Sequence, residues 1–180
     1  MRKAAVLLIT FMVLVFGISG CNEIKEQPFK IEDPVTIEQV NTGGKYVARA
    51  FLESIFTDDR ELFNKCYPDG YLERLGKAAG ADVFEQYKSV MKVGSAVMGT
   101  ASVDYRDYTI ENGFDQASMK AHICLNTEAE YSEISQIQLQ KIGVRFSGAG
   151  DTMDTYFYFV VYERNGNWYM LETFKGEMEF

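Results

Sequence analysis

The sequence predicts an α+β domain in which N-terminal helices pack on one face of a curved antiparallel sheet built from the C-terminal half. Three observations carry that expectation. Apolar residues recur at helical spacing through Val47, Ala50, Phe51, Ser54 and Ile55, and again through Val83, Phe84, Tyr87, Val90 and Met91. From Gly99 onward the pattern changes to aromatic and β-branched runs with partial alternation. Asn165-Gly166 lies between two such runs, and that pair suits the left-handed backbone of a tight hairpin.

The chain opens with Arg2 and Lys3 ahead of Ala4 to Phe16, an apolar run of thirteen residues without a charge. That is the layout of a secretory signal peptide. A membrane-spanning helix needs roughly 20 apolar residues, so the run reads as a signal rather than a permanent span. Next come an aliphatic residue, two small residues and a cysteine, Ile18-Ser19-Gly20-Cys21. This box resembles the lipobox of bacterial lipoproteins. The resemblance implies cleavage between Gly20 and Cys21, a diacylglyceryl group on the Cys21 thiol, and a lipid-anchored location on the extracytoplasmic side of the cell membrane. Two acyl chains form a stable anchor where one is marginal. The competing reading is an ordinary secretory signal that leaves Cys21 a plain thiol.

Asn22 to Thr36 is polar and charged and is interrupted by Pro28 and Pro34, as expected of a flexible tether. Fully extended, it would reach up to roughly 50 Å from the bilayer. The expected division is therefore a signal peptide over 1–20, a tether over 21–36 and a folded domain over 37–180. The signal carries two of the 18 basic residues and none of the 26 acidic ones, so the mature chain keeps 16 against 26, a formal net charge of −10. Such a chain lacks the basic footprint of a nucleic-acid binder and is repelled by anionic lipid surfaces. Its membrane contact should come from Cys21 alone.

Within the domain, the first helix should run from about Val35 or Lys45 to Phe56, with Gly43-Gly44 as a break or a start and Lys45, Arg49 and Glu53 turned away from the apolar face. Asp58 and Glu61 stand at capping-box spacing for a second helix that buries Leu62, Phe63 and Cys66 and ends at Tyr67-Pro68-Asp69-Gly70. Tyr71, Leu72 and Leu75 suggest a short third helix, and the run from Val83 a longer fourth. Ala101 to Ile110, Gln116 to Leu125, Thr155 to Glu163 and Trp168 to Phe174 read as strands. Glu128 to Phe146 reads as a mixed segment ending in a strand, and Ser147 to Asp154 as a turn or short loop.

The helical stretch VARAFLESIFTDDRELFNKCYP and the terminal YFYFVVYERNGNWYMLETF are similar to the NTF2-like, or cystatin-like cone, superfamily, and to the uncharacterised lipoproteins that carry it. The likeness spans about Lys45 to Phe174. It implies a cone-shaped cavity between sheet and helix, which some members use as an active site and others as a ligand pocket or pairing surface. Fold resemblance alone does not choose among these.

Candidate chemistry is sparse. His122 is the single histidine, which excludes sites built on several histidines and gives no expected metal site. No phosphate loop, nucleophile elbow or dinucleotide fingerprint occurs, and no cofactor is expected. Asp104 and Asp107 point to opposite faces of their expected strand, with Tyr105 sharing the Asp107 face. Ketosteroid-isomerase-like members of the superfamily pair an acid with a tyrosine in this way, which implies an isomerase- or dehydratase-like alternative. Cys66 and Cys124 fall on elements whose faces make a bridge awkward, so two separate thiols are favoured over a disulfide.

The aromatic residues supply the remaining candidates. Tyr105, Tyr156, Tyr158 and Trp168 could line a ligand cavity. The plainer reading makes one face of their strands core and leaves a tyrosine-rich face for solvent or for a homodimer through the sheet. The overall expectation is a non-enzymatic envelope lipoprotein that binds a small ligand or an envelope protein. A structural or self-associating module is the further alternative.

Overall fold

The computed structural model describes residues 33–98, 106–110, 115–147 and 152–171. The expected signal peptide, Cys21, Asp104, Tyr105 and most of the tether lie outside these residues. The described elements are helices α1 (Gly44–Thr57), α2 (Arg60–Lys65), α3 (Tyr71–Ala79), α4 (Val83–Met98) and α5 (Gln116–Thr127), with strands β1 (Arg106–Ile110), β2 (Ile134–Ser147), β3 (Thr152–Arg164) and β4 (Asn167–Met170). Short 3₁₀ turns at Val40–Thr42 and Tyr131–Glu133 precede α1 and β2. The strands form one antiparallel sheet in the order β1-β2-β3-β4, so the α+β expectation holds.

Local chemistry explains the element ends. Asp58 closes α1 in a left-handed conformation, and the Asp59 carboxylate accepts from the Leu62 N–H to start α2. The cap is therefore one residue later than the Asp58–Glu61 spacing suggested. Gly70 and Gly80, both at positive φ, bound α3. Asn165 and Gly166 adopt φ of 52° and 80°, which gives the expected hairpin its tight turn.

Two cores form because both faces of the sheet are used. Alternate residues Ile142, Phe157, Phe159, Val161, Trp168 and Met170 meet α1, α2 and α4. On the other face Ile134, Ile137, Leu139, Val160 and Tyr162 meet Met119 and Ile123 of α5. This overturns the strand expected over Gln116 to Leu125. Met119, Ala121 and Ile123 alternate like a strand, yet Met119, Ile123 and Thr127 also recur every fourth residue, and the Asp115 carboxylate accepts from the Ala117 and Ser118 N–H groups. The cap and the four-residue repeat together make a helix. The mixed segment likewise resolves into a 3₁₀ turn followed by strand from Ile134, with Tyr131 exposed.

α1 is the centre of the larger core. Its residues 47 to 55 are all buried, and the Phe51 ring lies 5.4 Å from Phe159 and 5.1 Å from Tyr87, centroid to centroid. Burying each such large apolar side chain stabilises the fold by about 1.5–3 kcal/mol. At its N-terminus α1 touches the sheet so closely that a Cβ on Gly44 would stand 2.7 Å from Gln138 Oε1 and 2.8 Å from Val161 Cγ2. Replacing a helical glycine with alanine ordinarily stabilises by up to about 1 kcal/mol. Here Gly44→Ala is expected to destabilise by about 1–2 kcal/mol through overpacking, read as a lowered urea midpoint at unchanged slope.

Candidate functional site

Of the aromatic residues expected to line a pocket, Tyr105 lies outside the described residues, and Trp168 and Tyr158 stand on opposite faces of the sheet. Trp168 is buried toward α1, whereas Tyr158 is 45% exposed on the opposite face, beside Lys141, whose ammonium lies 5.7 Å from its ring centroid. Tyr156 sits in β3 in register with Gly143. Tyr162, on the same face of β3 as Tyr158, is fully buried under α5, and that burial pushes its phenol well above the usual range. The sheet face suggested for a homodimer is thus half covered by α5.

The other candidates are also placed. Asp107 occupies β1 in register with Ile142. His122 lies on α5, within the stretch expected as a strand, and its Nε2 is 3.2 Å from Asn126 Nδ2. Cys66 and Cys124 are separate free thiols, the first in the larger core and the second beside the smaller one. Among the described residues, no group of three or more His, Cys, Asp or Glu side chains is placed to hold a metal ion, and no helix is long and apolar enough to cross a membrane.

Among the described residues, rings pack between α1 and the sheet and between α1 and its neighbouring helices. Phe63 packs 4.9 Å from Phe84 and 5.7 Å from Phe51, and Phe51 bridges onward to Phe159. A groove of about 450 Å³ opens instead on the outer surface, between α2, α3 and the start of α4. The rings of Phe63, Tyr67 and Phe84 underlie it, and Arg60, Asp69, Glu73 and Asp82 stand at its rim. Of the three carboxylates there, Asp82 is paired with Arg60 at 2.7 Å and Glu73 with Lys77 at 2.6 Å.

This rim is held by a charge network. Arg60 donates to Asp82 Oδ2 at 2.7 Å and to Glu85 Oε1 at 2.9 Å, while Lys88 donates to Asp58 and to Glu85. Arg60 and Lys88 both approach the Phe84 ring, at 4.8 and 5.2 Å from its centroid. The Glu85 N–H donated to Asp82 Oδ1, followed by the Arg60 guanidinium, holds the Asp82 carboxyl below its usual range. Hydrogen bonding to Asp58 raises Lys88 in turn.

A second polar arrangement escaped the sequence reading. Arg49 and Glu53, expected on the solvent side of α1, are 2% and 5% exposed and form a buried pair at 3.1 Å. Arg49 Nη2 also donates to the Asp33 carbonyl at 2.9 Å, and the Val35 N–H donates to Glu53 Oε2 at 2.7 Å. The segment expected to end the tether at Thr36 is therefore fastened to the domain from Asp33, with Val35 in the core. An Arg–Glu pair four residues apart normally marks an exposed helix face, so no local signal announced its burial.

Compared with protein-family models, curated proteins and solved structures, the chain matches none.

Asp82 provides the pH test of the rim. Its folded-state pKa is lowered, so the stability it contributes is present in full above the unfolded carboxylate value and is lost as pH falls through the folded one. Asp82→Ala should cost about 1 kcal/mol at neutral pH as a lost helix cap. Urea titrations of both proteins should show that difference shrinking toward zero as pH falls below the usual aspartate range.

Proposed function

We propose that this chain is an envelope lipoprotein, held to the extracytoplasmic face of the cell membrane by lipid on Cys21, whose NTF2-like domain binds another envelope protein through its outer surface. One observation carries the choice of surface over cavity. The place where a cone would hold a small ligand is filled by the packed rings of Phe51, Phe63, Tyr87 and Phe159. The groove between α2, α3 and α4, with its charged rim and apolar floor, is the surface that fits a partner carrying charged and apolar side chains.

The layered plan supports the NTF2-like assignment, since helices cover one face of an antiparallel sheet. α5 on the opposite face departs from a one-sided cone. The anchor reading rests on the Ile18-Ser19-Gly20-Cys21 box, and Asp33, held by Arg49, lies twelve residues after Cys21. Twelve residue steps span at most about 43 Å, so a lipidated Cys21 would keep the groove within the membrane-proximal layer of the envelope. Self-association is a second reading, favoured by the exposed Tyr158 beside Lys141 where α5 leaves the sheet uncovered.

Two measurements test these claims. Intact-mass spectrometry of protein from its host should find wild type cut before Cys21 and heavier than the Cys21→Ser protein by the mass of the lipid; an unmodified Cys21 would remove the anchor. Benzene or xenon titrated into the domain should leave the core resonances of wild type unshifted and should shift those of Phe159→Ala, where truncation opens a ring-sized void. Uptake by wild type would restore the interior-pocket reading.

A further inference from the structure

The fastening of residues 33–35 has the geometry of peptide recognition. Arg49 and Glu53 stand one helical turn apart on α1, about 6 Å along its axis. The two backbone groups they bind, the Asp33 carbonyl and the Val35 N–H, flank Pro34 and so are separated by a single residue. The pair on α1 thus supplies a donor for the carbonyl and an acceptor for the amide on either side of one residue. Pro34, between them, has no N–H to satisfy and favours an extended residue before it.

The contact is also narrow. Asp33, Pro34 and Thr36 are exposed, and Val35 alone inserts into the core cluster. Beneath the segment lie the apolar residues that take Val35 and, beside them, a buried ion pair. Exposing a buried ion pair to water restores the hydration that burial removed, which lowers the cost of lifting the segment away.

We propose that this cleft on α1 is a peptide-binding site that the chain's own Asp33-Pro34-Val35 strap occupies in cis, and that its ligand in trans is an extended segment of a partner protein with proline followed by a small aliphatic residue. Such a segment would reproduce the carbonyl, the amide and the Val35 side chain. The strap then acts as a built-in competitor, and displacing it frees the base of the tether. The site is distinct from the groove between α2, α3 and α4, so either can fail without the other.

The test uses the full chain. In native-state hydrogen exchange, the Val35 amide should exchange through local opening, at least about tenfold faster than the Leu52 amide of α1 and with little dependence on low urea. Next, a capped peptide copying residues 31–36 should bind the Val35→Asn chain, whose own strap no longer fills the site, and should bind wild type at least about tenfold more weakly. The same peptide carrying Val35→Asn should not bind, and Glu53→Gln introduced beside Val35→Asn should abolish binding. A Val35 amide that exchanges only together with Leu52, a folded Val35→Asn chain that ignores the peptide, or a Val35→Asn chain that unfolds outright would each overturn the proposal. The last result would make the strap an inseparable part of the core.

Discussion

The enclosure of α1 is the constraint on which the rest of the structure depends. A helix covered on every side can keep a polar side chain only if the surrounding chain supplies its partners, because an uncompensated buried charge costs several kcal/mol. Arg49 and Glu53 meet that requirement by pairing with each other and by binding the backbone of residues 33–35. On the remaining sides, α1 is closed by the rings of Phe159 and Tyr87 and by the near contact of Gly44 with the sheet. The strap, the glycine and the aromatic fill all follow from one buried helix.

Using both faces of the sheet redistributes the surface open to function. With α1 on one side and α5 on the other, packed side chains lie on both faces of the sheet, and Tyr158 is left exposed. The network of Arg60, Asp82, Glu85, Lys88 and Asp58 joins the C-terminal end of α1, the start of α2 and the start of α4. Two of the three elements that border the groove, α2 and α4, are therefore locked to each other.

Features governed by short-range chemistry were legible in the sequence. The helical period through Phe51, the buried trio Leu62, Phe63 and Cys66, the alternation through Phe157 and Phe159, and the Asn165-Gly166 turn each depend on neighbours a few residues away. α5 was misread because Met119 and Ile123 satisfy both a period of two and a period of four; the Asp115 cap decides between them. The buried pair on α1 could not be read locally, since its partner backbone lies 16 and 18 residues earlier in the chain. The same limit applies to the groove, whose Arg60 and Asp82 are 22 residues apart and share no pattern.

The two thiols of the folded part stand in unequal environments. Cys66 is fully enclosed, its Sγ directed at the Leu62 and Val47 carbonyls, and burial pushes its pKa well above the usual thiol range. Cys124, on the flank of α5, is partly open to solvent. An alkylating reagent therefore reaches one sulfur in the native protein and the other only when α1 and α2 part. The chain carries its own chemical clock for unfolding, with Cys124 as the internal reference and Cys66 as the hand that moves.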